Sequence, residues 1–394
     1  MKRYDFDQVI DRKETGALKC DALQSLYGTT GLTPLWVADL DFAVCPDITE
    51  ALKHRVEHPV YGYAMTPDSY WQSIINWLKK RHDFDVERHE LTFVPGVVRG
   101  VAYAINYFTN RGDKIIIQQP VYHPFKMVIE GNERVVVNNP LKVTESGYEM
   151  DLEHLRKVID EEHPKMMVLC NPHNPVGIQW DVDVMRELAA ICRENGVIVV
   201  SDEIHGDLML YGKPHIPFVE VSDDAAAIAI TLGAPSKTFN IPGLVSSWVV
   251  VKSKELREPF YNWLETNEFS SPTMFATIGA EVAYTHGEEW LNQLIEYIEG
   301  SIAMVEEYLE KNIPQIKVVR PQASFLLWLD CRGLDMSQPA LVDLFVRKAH
   351  LALNDGTMFG KEGEGFMRLN IGSPRKVILE ALSHLAEAVN SLND

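Results

Sequence analysis

The sequence predicts an α/β fold, in which a large domain with a mainly parallel sheet is followed by a smaller C-terminal α+β domain. From about residue 50 onward, helical and strand patterns alternate along the chain, as they do when helices connect parallel strands. After about residue 285, long charged helices and separate strands replace this alternation. The 394 residues also suit two domains better than one small core.

These patterns give three parts with approximate limits. We expect an N-terminal segment at 1–47, a large domain at 48–284 and a small C-terminal domain at 285–394. The N-terminal segment is expected to pack on the small domain. Ligands of open α/β sheets bind beyond the carboxyl ends of the strands, so the site is expected at that edge of the large sheet.

Apolar runs and amphipathic stretches mark the individual elements. A capped amphipathic helix is predicted at 68–81, and a helix at 182–194 ends at the Asn195-Gly196 pair. In the C-terminal part we expect a helix at 290–311, strands at 316–319 and 325–330, and a closing helix at 373–393. The strands predicted for the large domain are 91–94, 114–118, 165–170, 197–201, 227–232 and 243–251.

Charge and hydropathy exclude several classes of protein. The net charge of −19, from 37 basic and 56 acidic residues, repels a phosphate polyanion, so we expect no nucleic-acid partner. No stretch approaches the roughly 18 consecutive apolar residues that cross a membrane, and the first residues, MKRYDFD, contain no apolar signal core. We therefore expect a cytoplasmic protein without a membrane partner.

Neither the cysteines nor the histidines predict a metal site. His54 and His58 are four residues apart on a predicted helix, but no third ligand lies nearby in the sequence, so a solvated helix face is the better interpretation. The cysteines lack paired metal-binding spacing and are interpreted as reduced cytoplasmic thiols. They are Cys20, Cys45, Cys170, Cys192 and Cys331.

A lysine follows the predicted strand 227–232, within the sequence GAPSKTFN at 233–240. Partial burial and nearby positive charge lower the pKa of such an amine, which then acts as a nucleophile that forms an imine. Lys237 is the candidate, and Ser236 is placed to bind a phosphate oxygen. Taken alone, a surface-loop lysine is the more ordinary interpretation.

Three further segments carry polar groups in similar places. Asp202 follows strand 197–201 and would pair with a protonated ring nitrogen, or serve as a helix cap or structural ion pair. Asn174 lies in the rigid turn CNPHNPVG at 170–177. Arg368 lies among apolar residues in FMRLNIG at 366–372, which suits capture of a carboxylate, or else marks an edge strand.

Together these segments give the chain a clear resemblance. Asn174, Asp202 and Lys237 follow successive strands, with 28 and 35 residues between them. The chain resembles fold type I pyridoxal-phosphate (PLP) enzymes of the class I/II aminotransferase superfamily, in particular the cystalysin-like cystathionine β-lyase and cysteine-S-conjugate β-lyase branch. The strings typical of this branch are PLWVADLDF at 34–42, YGY at 61–63, QPVYHPF at 119–125, SDEIH at 201–205 and APSKTFNI at 234–241.

The resemblance implies a seven-stranded sheet and a role for each site residue. Lys237 would bind PLP as a Schiff base and then act as the base for the Cα proton. Asp202 would keep the pyridine nitrogen protonated, Asn174 would bond the phenolic oxygen, and Tyr122 would stack on the ring. Arg368 would bind the substrate carboxylate, with the backbone near Ala38 closing over it.

The phosphate is expected at Gly96-Val97-Val98, where the strand at 91–94 gives way to a helix beginning near residue 98. Ser236 would add a hydroxyl. Tyr63 resembles the tyrosine that reaches the phosphate from the neighbouring subunit, which implies a homodimer with sites shared by two chains. A core aromatic is the other interpretation of Tyr63.

Two departures from the aminotransferase pattern favour the lyase branch. Val245 stands eight residues after the lysine, where many aminotransferases have an arginine, and His205 stands where many have a tyrosine. Two further substitutions are His123, where some members have a second tyrosine, and Ala234, where the wider superfamily has a serine. Neither of the first two differences excludes amino transfer.

The leading hypothesis is a PLP-dependent carbon–sulfur β-lyase. It would cleave L-cystathionine or another cysteine S-conjugate by α,β-elimination, giving pyruvate, ammonia and a thiol, with Lys237 or Tyr122 assisting departure of the thiolate. The alternative is a class I/II amino acid aminotransferase, which returns the proton to the cofactor. A third hypothesis is a cofactor-holding regulatory protein, which the complete catalytic set disfavours.

Overall fold

A seven-stranded sheet forms the centre of the molecule, whose computed structural model describes residues 2–144 and 147–392. Its strands in chain order are β1 (Leu91–Val94), β2 (Lys114–Ile117), β3 (Val135–Asn138), β4 (Met166–Cys170), β5 (Ile198–Asp202), β6 (Ala229–Gly233) and β7 (Ser247–Val250). In space the order is β1-β7-β6-β5-β4-β2-β3. Strand β7 runs antiparallel to both of its neighbours, whereas the pairs from β6 to β3 are parallel. The expected mainly parallel sheet of seven strands is confirmed.

The strands are apolar because both faces of the sheet are covered. Every residue of β4, β6 and β7 is buried. One core cluster includes Ile115 and Val200, and a second includes Ile116 and Val199, as expected when successive side chains point to opposite faces. The longer helices are Pro46–Glu57, Asp68–His82, Val97–Phe108, Pro124–Gly131, Leu152–Glu162, Val182–Glu194, Lys254–Thr266, Met274–His286, Glu288–Asn312 and Arg375–Asn390.

A second, four-stranded antiparallel sheet lies in the C-terminal part. Its strands are β8 (Lys317–Val319), β9 (Leu326–Asp330), β10 (Asn354–Asp355) and β11 (Phe366–Asn370), in the spatial order β8-β9-β11-β10. The N-terminal segment contacts this part, because strand Thr33–Pro34 pairs in parallel with Leu351–Ala352. The predicted limits at 47 and 284 stay predictions, and residue 284 lies within helix Met274–His286.

Several predicted bounds need correction. The strand predicted at 227–232 begins only at Ala229, because Ser222 caps a helix at Asp223–Ile228. The strand predicted at 243–251 is limited to β7, since Pro242–Leu244 forms a 3-10 turn and Val245 is left-handed. The helix predicted at 68–81 extends to His82, but Pro67 precedes it and no side chain caps it.

Other predicted bounds agree more closely. Helix Val182–Glu194 ends at Asn195 as predicted, with Gly196 in the left-handed region. The closing helix, predicted at 373–393, spans Arg375–Asn390, and residue 393 lies outside the described residues. His58 lies one residue beyond helix Pro46–Glu57, so the two histidines do not share a helix.

The cysteines and the helices can be compared with the expectations of reduced thiols and of no membrane partner. All five cysteines are unpaired. Within residues 2–144 and 147–392, no helix combines the length and the apolar character needed to span a membrane.

The end of β6 depends on a glycine. Gly233 lies opposite Trp248 in the antiparallel β6–β7 pair, and a Cβ at this position would overlap with the Trp248 ring. Trp248 has little freedom to move, because it is buried and its indole N–H donates to the Tyr284 hydroxyl at 3.0 Å.

We therefore expect Gly233→Ala to lower the free energy of unfolding by about 1–3 kcal/mol, the usual cost of overpacking a core. Urea denaturation measures the change. The control is Gly131→Ala at an exposed helix end where nothing lies within 4 Å of the added Cβ, and it is expected to be neutral or slightly stabilising. Equal effects of the two substitutions would contradict the overlap with Trp248.

Candidate active site

Three adjacent parallel strands bring the predicted polar residues together. Asp202 is the last residue of β5, Lys237 follows β6, and Asn174 follows β4. Strand β5 pairs with β4 on one side and with β6 on the other. Because the carboxyl ends of parallel strands meet at one edge, the three side chains face one region, as the sequence predicted.

They line a cavity of about 290 Å³ at that edge of the sheet. Ten of the twelve predicted site residues line it, namely Ala38, Gly96, Val97, Val98, Tyr122, Asn174, Asp202, His205, Ser236 and Lys237. Arg368 does not line the cavity itself, but its guanidinium donates a hydrogen bond of 3.0 Å to Asn174 Oδ1, which does. Tyr63 does not line the cavity of this single chain and is fully exposed.

The amine of Lys237 is held by the backbone of Ala38, another residue that lines the cavity. Lys237 lies in the one-turn helix Pro235–Thr238, which the proline begins directly after β6 and Ala234. Its Nζ donates a hydrogen bond of 2.6 Å to the carbonyl of Ala38. Burial lowers the pKa of Lys237 to about 8, with Arg368 acting in the same direction and Asp39 and Asp202 opposing it. A larger fraction of this amine than of an ordinary lysine is therefore unprotonated near neutral pH.

Asp202 is a buried carboxylate that forms no salt bridge with any residue that the structure describes. It accepts a hydrogen bond from the backbone N–H of Ile204 at 3.1 Å. Burial raises the pKa of Asp202 to about 7, although the Ile204 bond and the charge of Lys237 lower it. Such a group favours a ligand that brings a positive charge.

His205 adds a neutral ring to the lining of the cavity. Burial, with smaller effects of Lys237 and Arg368, lowers the pKa of His205 to about 3. Its Nδ1 is buried and has no hydrogen-bond partner among the described residues. The imidazole is therefore uncharged at neutral pH.

Arg368 is a buried guanidinium surrounded by neutral acceptors. It lies on β11 and donates to Asn174 Oδ1 at 3.0 Å, to the Trp36 carbonyl at 3.0 Å and to Asn354 Oδ1 at 2.6 Å. Burial lowers its pKa to about 10, and Nε has no partner. A buried cation in this state is suited to binding a carboxylate.

The first turn of helix Val97–Phe108 forms one wall of the cavity. The N–H of Gly96 donates to the Val94 carbonyl at 2.9 Å, so the N–H groups of Val97 and Val98 are the better anion donors of this predicted trio. Val245, eight residues after Lys237, also lines the cavity, and its φ is 54°. A left-handed backbone is unfavourable for a β-branched residue.

The cavity includes residues that the sequence reasoning missed. Arg99 lies at the same helix start, where its position directly after Val98 was a usable signal. Ser246 and Ser247 add hydroxyls at the start of β7, and no pattern in the sequence distinguishes them from other serines. Cys170 lines the cavity and accepts a hydrogen bond from the backbone N–H of Asn174 at 3.4 Å, and burial raises its pKa well above the usual value.

The raised pKa of Asp202 predicts a pH-dependent stability in protein purified without cofactor. Between about pH 4 and pH 7 the folded state keeps a proton that the unfolded state loses, so stability falls as pH rises. Asp202→Asn removes this loss. From about pH 4 to pH 7, the free energy of unfolding of Asp202→Asn minus that of the wild type should rise by up to about 4 kcal/mol. Above about pH 7 this difference should stay constant.

Urea denaturation at several pH values measures this difference. Asp160→Asn, at an exposed position in helix Leu152–Glu162, is the control and should give a much flatter difference. A difference for Asp202→Asn that stays constant from pH 4 to pH 8 would contradict the assignment.

Comparisons with known proteins agree with this geometry. Residues 30–385 match the family described as aminotransferase class I and II. The chain is 39% identical to the cystathionine beta-lyase PatB of Bacillus subtilis (strain 168), over 98% of this chain and all of that one, and 32% identical to the protein MalY of Escherichia coli (strain K12), over 99% and 100%. It also resembles the crystal structure of cystalysin from Treponema denticola, which contains pyridoxal 5′-phosphate, with a TM-score of 0.95 and 34% identity over 99% and 100% of the chains. The chain therefore belongs to the class I and II aminotransferase family.

Proposed function

We propose that the protein is a PLP-dependent carbon–sulfur β-lyase that converts L-cystathionine or a related cysteine S-conjugate into pyruvate, ammonia and a thiol. The observation that carries the proposal is the Lys237 amine, which lines the cavity together with the buried Asp202 carboxylate and feels the charge of the buried Arg368 guanidinium. The names of the relatives, cystathionine beta-lyase and cystalysin, support the same activity.

The residues around the cavity fit PLP. Lys237 would bind it covalently, and Asp202 would pair with its ring nitrogen, whose positive charge offsets the burial of the carboxylate. The Asn174 amide uses its oxygen on Arg368 and would offer its NH₂ group to the phenolic oxygen. Tyr122 would cover one face of the ring. PLP supplies an electron sink for the carbanion that forms when an amino acid loses its Cα proton.

The phosphate would bind where the cavity meets helix Val97–Phe108. The N–H groups of Val97 and Val98 and the hydroxyl of Ser236 are the donors, and Arg99 adds a positive charge. Gly96 contributes its conformation rather than a donor, because its φ of 120° turns the chain from β1 into the helix.

The protein's own groups then account for binding and proton transfer. Arg368 would bind the substrate carboxylate, and loop 36–42, which includes Ala38, would close the cavity above it. Lys237 takes the Cα proton, for which a pKa of about 8 suits an enzyme that works near neutral pH. The Cβ–S bond then breaks, sulfur keeps the electron pair, and Lys237 or Tyr122 returns a proton to the thiolate. Hydrolysis of the remaining three-carbon fragment gives pyruvate and ammonia.

We expect the purified protein to release pyruvate and thiol from L-cystathionine without any added keto acid. Lys237→Ala should lower this activity by at least about a thousandfold, because base and covalent attachment are lost together. A coupled lactate dehydrogenase assay and a thiol reagent measure the two products. The matched control Lys252→Ala, a partly buried lysine that pairs with Glu90, should keep most of the activity.

The same assay tests the alternative of amino transfer. If products form only when a keto acid is supplied, and the keto acid is converted to its amino acid, the protein is an aminotransferase. If amino acids do not change the visible spectrum of the PLP-loaded protein, both enzymatic functions are wrong.

We further propose a cytoplasmic homodimer in which each active site uses Tyr63 of the neighbouring subunit. Tyr63 and Met65 are almost completely exposed in the single chain, and Val60 and Tyr61 are more than half exposed. A cluster of exposed apolar side chains is typical of a surface that binds another protein. Tyr63 would donate to the phosphate of the neighbouring site. The unpaired cysteines support a reducing compartment.

Subunit mixing tests this arrangement. Tyr63→Ala and Lys237→Ala are each expected to give weakly active or inactive homodimers. A hybrid of the two has one intact site, so an equal mixture reassembled at random should recover about a quarter of wild-type activity, as two-fold symmetry requires. Mixed protein that is no more active than the separate variants would show that Tyr63 does not act across an interface.

A further inference from the structure

Loop 36–42 carries two carboxylates, of which Asp39 acts electrostatically on the Lys237 amine. Its Ala38 carbonyl accepts the 2.6 Å hydrogen bond from Lys237 Nζ. The next residue, Asp39, is largely buried, with 14% of its side chain exposed, and Asp41 is similar at 17%. Asp39 favours the protonated form of Lys237. The loop therefore both holds the amine and tends to keep it charged.

Two cations from the N-terminal segment neutralise these carboxylates. Arg12 binds Asp39 through two hydrogen bonds of 3.1 and 2.6 Å and also binds Asp41 at 2.7 Å. Lys19, whose side chain is completely buried, binds Asp41 at 2.7 Å and lies 3.7 Å from Asp39. The two-bond geometry of an arginine and a carboxylate fixes orientation as well as charge.

The same segment also fixes the backbone of the loop. The Trp36 indole N–H donates to the Lys19 carbonyl at 3.0 Å, and the Arg12 guanidinium reaches the Leu40 carbonyl at 3.4 Å. A fully buried lysine is rare and costly unless it is paired. Its presence here means that the ion pairs and the loop form one unit.

We propose that Arg12 and Lys19 are positioning residues for Lys237. They pair with Asp39 and Asp41, and these pairs fix loop 36–42. The pairs also weaken the electrostatic effect of Asp39 on the Lys237 amine. This inference rests on the proposed function, since it assigns Lys237 as the base. Asp39 and Asp202 are the acidic groups that act on the amine, Arg368 is the cation that acts on it, and His205 is neutral. By pairing with Asp39, Arg12 and Lys19 determine how strongly its negative charge stabilises the protonated form of Lys237.

Opposite charge changes should therefore shift the titration of Lys237 in opposite directions. Arg12→Gln leaves Asp39 less neutralised and should raise the pKa of the PLP-bound Lys237 nitrogen by about 0.5–1 unit. Asp39→Asn removes the anion and should lower it by a similar amount. Arg12→Lys keeps the charge and should restore most of the wild-type value. The visible spectrum of the PLP-loaded protein, titrated against pH, measures the change.

Two controls separate this effect from a loss of structure. Lys13→Gln, at the exposed neighbouring position, makes the same change in net charge and should leave the midpoint unchanged. Melting temperatures are measured for every variant, since a purely structural role lowers them without giving shifts of opposite sign.

The outcomes distinguish two kinds of failure. Shifts of the same sign, or shifts no larger than that of Lys13→Gln, would overturn the role of Arg12 and Asp39 while leaving the lyase proposal intact. A wild-type protein that has no spectrum from Lys237-bound PLP would overturn the proposed function and this inference with it.

Discussion

The buried guanidinium of Arg368 is the contact on which the arrangement of the site depends. It bonds to Asn174 beyond the large sheet, to Asn354 in the small sheet and to the Trp36 carbonyl of the N-terminal segment. A buried charge that loses its hydrogen bonds costs several kcal/mol. If the three segments moved apart while Arg368 stayed buried, the guanidinium would lose these hydrogen bonds at that cost. The hydrogen bonds of one charged group therefore fix the relative position of the three segments.

Two asparagine side chains fix the backbone of loop 36–42 without adding charge. Asn370 donates to the Val37 and Asp39 carbonyls at 2.5 and 2.7 Å. Asn240, three residues after the lysine, accepts from the Leu40 N–H and donates to the Leu40 carbonyl, both at 3.0 Å. An amide both donates and accepts, so it can bind a loop backbone close to ionised groups without changing their pKa values through its own charge.

The sequence predicted the candidate site better than it predicted the ion pairs that hold loop 36–42. Asp202 and Lys237 were found because parallel strands deliver the residues after their carboxyl ends to one edge, which the order of strands alone implies. The pairing of Arg12 with Asp39 has no such rule, since it joins two irregular segments. Residues 227 and 228 were predicted as the start of a strand, but the Ser222 cap and two acidic residues in the first turn favour a helix there.

Burial acts on all three ionised groups of the site in the same way. It lowers the pKa of Lys237 to about 8, raises that of Asp202 to about 7 and lowers that of Arg368 to about 10, in each case favouring the neutral form. The free energy lost by burying these groups is regained when a ligand of opposite charge binds. A cationic ring nitrogen beside Asp202 and a carboxylate beside Arg368 would each supply such a charge. A ligand that binds only the folded state also stabilises it. The buried charged groups that destabilise the folded protein when the site is empty are therefore the same groups that favour the binding of cofactor and amino acid.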